Sequence, residues 1–413
     1  MRIISTFASV SGAGSQRLPR ASAARSRAWR GAAILSRGLR PFFLAAGVWA
    51  LIGIALWPLI LMGKIAVPTA FSAIDWHAHE MIFGSGEAVL AGFLLTAIPN
   101  WTGRLPVARW PLAALAVLWG AGRIAVLTSD WIGRPAAAIL DVAFLIVFVA
   151  LIAQEVTVVR NWRNLKVAGL VLALALADVA FHIEDAHSGL AEVSTGATLG
   201  VLVMLILLIG GRVTPSFTGN WLAKAGVSQR PVPFGRADGV VMAFSGLALA
   251  LWVAAPEGAL TGTLALGAGA ANFWRLSRWR GLAARRDALL LVLHAGFFLA
   301  ALGFVAAGAH ALWPSRIPYA AGVHVWAVGA IGVMTLAMMT RATLGHSGRA
   351  LVASKGTQFV YLCVVAALIA RVAMALAPEF AMPLLIVASG AWILAFTAFL
   401  AVYGPMLARR SGP

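Results

Sequence analysis

The sequence predicts an all-α integral membrane protein, a bundle of about twelve transmembrane helices with both termini in the cytoplasm. Of its 413 residues, 61% are hydrophobic and 11% are charged, whereas soluble domains are about 45–50% apolar and about 25% charged. From Pro41 onward, apolar segments of roughly 17–25 residues recur, which is the length that spans a bilayer as a helix. Because lipid satisfies no backbone hydrogen bond, these segments must be helical or form a closed barrel, and their length selects the helix.

The segments define a transmembrane domain over residues 41–405, followed by a cytoplasmic tail over 406–413. Residues 1–40 carry eight arginines and no acidic residue, which favours a disordered cytoplasmic tail. The same composition also suits an organellar transit peptide or a misassigned start codon. The predicted spans are 41–63, 74–98, 111–128, 135–159, 166–183, 193–211, 237–255, 259–275, 287–309, 318–340, 357–377 and 381–404.

The distribution of Lys and Arg predicts the orientation of the bundle. The N-terminal region, the C-terminal tail and alternate loops hold 27 of the 32 basic residues, whereas the opposite loops hold only Lys64, Arg134 and Arg316. Cytoplasmic loops carry the excess of Lys and Arg, so both termini are expected inside the cell. This asymmetry accounts for the formal net charge of +18. The lipid bilayer is therefore the expected partner, and no nucleic acid is implied.

Several kinds of site are excluded by residue content. Cys363 is the single cysteine, which excludes an intrachain disulfide, a thiolate zinc site and a Cys-ligated iron–sulfur cluster. No phosphate-binding glycine loop and no serine-hydrolase motif is present. His79-Glu80 is followed by Met81-Ile82-Phe83, which breaks the zinc-protease spacing. Soluble hydrolase and nucleotide chemistry thus have no support.

A stretch at the start of the second span, Asp75-Trp76-His77-Ala78-His79-Glu80-Met81, concentrates ionisable groups where a membrane helix should be apolar. Ionisable groups inside a bilayer are costly and mark functional sites, and imidazole is the commonest side-chain metal ligand. The predicted orientation places these groups near the periplasmic face, where other spans contribute further histidines. The candidate metal ligands are His77, His79, His182 and His324.

Helical spacing sorts the groups around these histidines. His77, Glu80, Gly84 and Glu87 share one face of a regular helix, while His79 points away from His77. The two histidines would therefore serve different sites, or one would only support the other.

Three more buried groups are expected to assist. Asp178 precedes His182 by one helical turn, so it is expected to orient that imidazole. Glu80 and Glu87 would support the ligands or carry protons. With His77, His182 and His324 as haem ligands, Arg123 and Arg371 would neutralise the propionates.

Three interpretations remain open from these residues. The histidines bind haem, copper or both; or the cluster is an ion path of a proton-coupled metal or anion transporter, with Glu80, Glu87 and Asp141 relaying protons. The third is a structural polar network without a ligand.

Four motifs carry a resemblance to a known family. They are Trp76-His77-Ala78-His79-Glu80, Pro99-Asn100-Trp101-Thr102-Gly103-Arg104, the segment GGRVTPSFTGN at 210–220, and the segment MTRATLGHSGR at 339–349. With Arg40-Pro41-Phe42-Phe43 and Tyr403-Gly404-Pro405 at the two ends, the chain resembles the NnrS family over nearly all of its length.

The resemblance implies a protein of the bacterial cytoplasmic membrane that contains haem and copper. It also implies a role in denitrification and in resistance to nitric oxide and nitrosative stress. Nitric oxide is then the expected small gaseous ligand, and any catalysed reaction would be that of an oxidoreductase acting on it. The span count also resembles haem-copper oxidases, but residues 237–255 lack the histidine pair that those enzymes carry in the seventh helix.

Overall fold

The computed structural model describes residues 31–410, and this part of the chain is helical without any strand. Twelve long helices follow one another, joined by short loops and single turns of helix. They are α1 (Leu39–Leu61), α2 (Ala73–Thr102), α3 (Trp110–Leu127), α4 (Arg134–Val158), α5 (Leu165–Ser188), α6 (Glu192–Lys224), α7 (Arg236–Ala254), α8 (Ala259–Ser277), α9 (Ala288–Leu312), α10 (Tyr319–His346), α11 (Lys355–Leu376) and α12 (Ala381–Ala408).

Local sequence explains where several helices begin and end. Ser72 begins α2, because its hydroxyl accepts a hydrogen bond from the backbone N–H of Asp75 at 3.1 Å. Asp287 caps α9 in the same way through two backbone N–H groups. Gly103 ends α2 in the left-handed conformation, with a φ of 70°, which glycine adopts without steric cost.

Eleven of these helices are long and apolar enough to cross a membrane, which confirms the predicted all-α polytopic membrane fold. The remaining one, α8, has 19 residues and carries polar groups that the protein itself buries. Asn272 donates to the hydroxyl of Ser245 at 2.8 Å, and Arg275 donates to Asp238 at 3.2 Å. The lower apolar content of α8 therefore reflects contacts with α7 and not exposure of polar groups to lipid.

Both ends of the described chain lie at one end of the bundle. Arg40, in the first turn of α1, donates a hydrogen bond to the carbonyl oxygen of Leu407, near the end of α12, at 2.9 Å. It donates another to the carbonyl oxygen of Arg409, just beyond α12, at 2.6 Å. The predicted tail over residues 1–40 falls largely on residues outside the described range, and α12 continues to Ala408, past the predicted boundary at 405.

Three helices, α2, α6 and α10, form the centre of the bundle. In each, 67% of the most apolar window is buried, a larger share than in any other span of the described chain. Each also contains a π-helical stretch, at Glu80–Gly86, Ile206–Gly210 and Val325–Gly332. A π-helical stretch therefore occurs in every fourth helix of the described chain. Such stretches are frequent at functional sites.

Candidate metal centre

Four buried side chains from three helices converge on one point, and we call them the His79 centre: His79 of α2, Asp141 of α4, and Asp178 and His182 of α5. One ligand atom from each lies within 4.8 Å of the other three. Exposure is 9% for His182 and at most 2% for the others. Within the described part of the chain, no other group of three or more His, Cys, Asp or Glu side chains meets in this way.

Asp141 joins the two histidines. Its Oδ2 atom lies 2.9 Å from Nε2 of His79 and 2.9 Å from Nε2 of His182. Asp178 Oδ1 lies 3.4 Å from Nε2 of His79 and 3.9 Å from Nε2 of His182. Both imidazoles therefore present the same ring nitrogen to the same pair of carboxylates.

Glu80 and Arg123 support the centre from outside. Glu80 Oε1 lies 3.0 Å from Nδ1 of His79, and Glu80 Oε2 accepts the indole N–H of Trp49 at 2.5 Å. Arg123 donates to Glu80 Oε1 at 3.2 Å and contacts Asp141 Oδ1 directly. Since a carboxylate can only accept, Nδ1 of His79 carries the proton, which leaves Nε2 facing Asp141 and Asp178 as a potential ligand.

Three aromatic rings enclose the imidazoles. Phe71 lies 5.3 Å from the ring of His79 and 5.5 Å from that of His182, centroid to centroid. Phe83 and Phe181 each lie 5.0 Å from His79. These rings exclude water, so polar atoms of the centre must find partners inside it.

Charge at the centre is not balanced by protein groups. The carboxylates of Glu80, Asp141 and Asp178 face one guanidinium, that of Arg123, which leaves two negative charges when the histidines are neutral. Both oxygens of Asp178 and Nε2 of His79 lack a hydrogen-bond partner with acceptable geometry. Leaving buried charged groups without partners is expensive. A divalent cation bound by these atoms would remove both deficits.

Comparison with known proteins identifies the family. The family model described as NnrS protein matches residues 33–411. This chain belongs to the NnrS family. A comparison with curated proteins finds no match. With its apolar helices and its buried His/Asp cluster, this NnrS chain is a multi-pass membrane protein with a site suited to a metal ion.

The donor set of this NnrS protein fits a single ion. Two imidazole nitrogens and two carboxylate oxygens suit a first-row transition ion such as Zn²⁺, Cu²⁺ or Fe²⁺. Tetrahedral coordination with bonds of about 2.0–2.2 Å separates neighbouring ligand atoms by about 3.3–3.6 Å. The 2.9–3.9 Å distances between the imidazole nitrogens and the carboxylate oxygens bracket that range.

A haem does not fit the same place. The two imidazole centroids of His79 and His182 are 5.3 Å apart with the rings inclined at 67°. Asp141 fills the space between them, and Phe71 packs against both. No flat slot for a porphyrin lies between these histidines, so His79 and His182 do not hold one haem between them in this arrangement.

The other two predicted ligands, His77 and His324, lie together in a separate place. With Trp57 and Arg371 they line a cavity of about 40 Å³, which we call the His77 cavity. His77 stacks on the indole of Trp57, with centroids 3.9 Å apart and planes 16° apart. His324 donates Nδ1–H to the carbonyl oxygen of Ala320 at 2.6 Å. The volume is enough for a few water-sized groups and too small for a porphyrin.

The structure thus divides the predicted ligand set, and the cause lies in α2. A π-helical stretch begins at Glu80, so the spacing of a regular helix ends there. His77 and Glu80, which the spacing places on one face, both contact tryptophans of α1, Trp57 and Trp49, but Glu80 also reaches His79 and Arg123. His79 does point away from His77, as the spacing predicts.

Two arginines predicted to hold propionates are engaged by protein groups. Arg123 is bound by Glu80 and Asp141. Arg371 lies over the ring of Trp57, 5.5 Å from its centroid, and donates to the sulfur of Met374 at 2.9 Å.

Asp141 is the residue whose role sequence reasoning underestimated. It was expected only as a proton relay, and Asp178 was expected to orient His182 from one turn away. In the structure Asp141 makes the shorter contact with His182, at 2.9 Å against 3.9 Å for Asp178. In the sequence, Asp141 is a single acidic residue in an apolar span, and this pattern does not predict which residue it contacts.

Proposed function

We propose that this protein binds a divalent first-row transition-metal ion at the His79 centre, in the bacterial inner membrane, and uses it to bind or turn over nitric oxide. The observation that carries the metal site is the pair of buried groups without a hydrogen-bond partner, Asp178 and Nε2 of His79, within a centre whose three carboxylates face one guanidinium. Membership of the NnrS family supports the nitric oxide part. The charge asymmetry of the loops supports a periplasmic position of the centre, with both termini inside.

Four residues would bind the ion and two others would orient these ligands. His79, His182, Asp141 and Asp178 would hold the ion, and Glu80 would keep His79 in the tautomer that presents Nε2. Arg123 would fix the orientation of Asp141 and limit the negative charge on it. A bound first-row transition ion would supply Lewis-acid or redox chemistry toward a small ligand. If turnover occurs, the protein is an oxidoreductase acting on nitric oxide.

Of the two cofactors that the sequence suggests, haem and copper, we favour copper at the His79 centre. The imidazole and carboxylate donors are compatible with Cu²⁺, while the centre lacks room for haem.

The test is metal analysis of the purified full-length protein, combined with absorption and electron paramagnetic resonance spectra before and after anaerobic addition of nitric oxide. We expect about one transition ion per chain, lost in His79→Ala and retained in His187→Ala, a matched variant of an exposed histidine on α5. Nitric oxide should change the spectrum of the wild-type protein and not that of His79→Ala. Equal metal content in both variants would overturn the site, and a spectrum insensitive to nitric oxide would overturn the ligand.

A proton-coupled metal or anion transporter is the second candidate, favoured by one observation. Glu87 is 1% exposed, its Oε1 lacks a partner, and it interacts electrostatically with Arg123 and Asp178. With Glu80 and Asp141 it forms a set of buried carboxylates of the kind that relays protons. Uptake of metal into proteoliposomes that depends on a pH gradient, and that Glu87→Gln abolishes while leaving metal at the His79 centre, would select this function.

A further inference from the structure

A large cavity lies at the carboxyl ends of the three central helices, far along α2 from the His79 centre. Its volume is about 970 Å³, near the top of the range that holds drug-sized ligands. Three of the four sequence motifs supply its walls, and none of their residues belongs to the His79 centre. The polar members are Thr96, Asn100, Asn220, Lys224, Asp287, Arg341 and His346.

The polar end of the cavity is basic. Neither Lys224 nor Arg341 forms an ion pair with a carboxylate within 4.0 Å in the described part of the chain. Arg341 lies over the ring of Phe217, 4.4 Å from its centroid, and its Nη1 is buried without a hydrogen-bond partner. Asp287, the one acid of the lining, accepts the backbone N–H groups at the start of α9 through Oδ1 and also interacts electrostatically with Arg341. The lining therefore carries two cations against one carboxylate, a net positive charge.

His346 adds a third donor. Its Nδ1 accepts a hydrogen bond from Arg37 at 2.8 Å, because a guanidinium can only donate. In a neutral imidazole the proton then resides on Nε2, so this cavity-lining histidine has one N–H left to donate. A donor at this position suits an acidic group and does not suit a metal ion.

The opposite end of the cavity is apolar and continues into the bundle. Phe93, Val213 and Met338 line both this cavity and a second one of about 90 Å³. The second cavity lies between the π-helical parts of α2, α6 and α10 and is lined almost entirely by aliphatic and aromatic side chains. An apolar cavity of this kind stays dry and takes up apolar groups.

We propose that this cavity binds an anionic amphiphile, with a phosphate or carboxylate head at Lys224 and Arg341 and an apolar body directed toward Phe93 and Met338. Charge-assisted hydrogen bonds from Lys and Arg are the strong contacts to such heads, and the cavity opens at the end of the bundle that carries the basic loops. An anionic lipid of the adjacent leaflet and a free fatty acid share this chemistry. The inference is independent of the metal centre.

Titration of the delipidated full-length protein, followed by native mass spectrometry, tests the proposal. The probes are dioctanoyl phosphatidylglycerol, dioctanoyl phosphatidylcholine with the same tails and a zwitterionic head, and palmitate. We expect saturable binding of phosphatidylglycerol or palmitate, and the tighter of the two identifies the source. Equal binding of phosphatidylcholine and phosphatidylglycerol would overturn the anionic head.

Variants connect binding to the cavity. The double variant Lys224→Gln/Arg341→Gln should bind the anionic probe on the order of tenfold to a hundredfold more weakly, the loss of one or two charge-assisted contacts. Arg349→Gln removes a basic residue at the same end that does not line the cavity, and it should bind like the wild type. Ala342→Phe fills the space without removing charge and should also weaken binding.

Thermal unfolding and the metal content of the His79 centre check that each variant is folded. If folded Lys224→Gln/Arg341→Gln and folded Ala342→Phe both keep wild-type affinity, the cavity is not the binding site. Lys224 lies in the last turn of α6, where a basic side chain also stabilises the helix. Loss of stability without loss of probe binding would therefore assign Lys224 that structural role instead.

Discussion

Nδ1 of His79 lies 3.0 Å from Oε1 of Glu80, its neighbour in the chain. Adjacent residues of a regular helix point about 100° apart, so such a contact is unusual, and it occurs here where α2 becomes π-helical. Here Glu80 contacts Trp49 of α1 and Arg123 of α3. Nε2 of His79 faces the two aspartates.

Glu80→Gln should weaken metal binding by about tenfold to a hundredfold, the usual cost of changing a group that supports a ligating histidine. The amide keeps the shape of the side chain but loses the charge that favours an N–H on the near side of His79. A chelator competition titration measures the affinity. Glu257→Gln, in an exposed loop, is the matched control and should bind metal like the wild type. Unchanged affinity in Glu80→Gln would show that Glu80 does not support the ligand.

Asp178→Asn should have opposite effects with and without metal. In metal-free protein it removes a buried charge that has no hydrogen-bond partner, so the free energy of unfolding should rise by about 1–3 kcal/mol. In metal-loaded protein it removes a ligand, so the gain in melting temperature on adding metal should shrink. Thermal unfolding of both forms in detergent measures the two effects. If the metal-free Asp178→Asn protein were less stable than the wild type, the Asp178 carboxylate would not be an unpaired charge in the metal-free state.

Arg123→Leu should destabilise the protein by about 3–5 kcal/mol, because Glu80 and Asp141 would lose the buried guanidinium that pairs with both. Arg123→Lys should recover part of this loss, since an ammonium keeps the charge without the two-pronged geometry. Arg316→Leu, in a loop, should change stability little. Thermal melts of the three variants give the ranking, and equal melting temperatures would exclude a structural ion pair.

His77→Ala and His324→Ala should leave the metal content of the protein unchanged, singly and together, because these histidines line a separate cavity. His182→Ala, made in the same background, should remove the ion. Elemental analysis of the purified variants decides between them. Loss of metal in His77→Ala equal to that in His182→Ala would mean that the four histidines act in one site after all.

Gly84→Ala should reduce both stability and metal affinity. A Cβ atom at this position would lie 2.5 Å from the indole of Trp49 and 2.9 Å from Oε2 of Glu80. The shift of Trp49 needed to relieve this costs about 1–3 kcal/mol. Gly120→Ala on α3 meets nothing within 4 Å and should be neutral or stabilising by up to about 1 kcal/mol. The two melting temperatures should therefore move in different directions.

The positions of the helices could be predicted closely from hydropathy, except at the ends of the central ones. Span four was predicted at 135–159 and is observed at Arg134–Val158, but span six was predicted at 193–211 and continues to Lys224. Polar residues beyond 211 face the large cavity and the protein interior, so α6 remains helical where its sequence ceases to be apolar. Hydropathy detects contact with lipid and cannot detect polar groups that the fold itself encloses.

The candidate site was predicted in its residue types and only partly in its grouping. His79 and His182 lie 103 positions apart in the chain. Neither span contains a pattern that predicts contact with the other. The contact of Asp141 with both histidines could not be predicted, because the sequence does not show which residue packs against a single acid in an apolar helix. The repeat of a regular α-helix also ends at Glu80, where α2 becomes π-helical.

Composition and charge determined by themselves that this chain is a helical membrane protein, since lipid imposes on each segment a length and a residue content that local sequence must meet. The four motifs determined its family. Only the tertiary structure decided which ionisable groups share a site, because that depends on the packing and rotation of helices distant in sequence. It separated His79 and His182 from His77 and His324, and it brought three motifs together around one cavity.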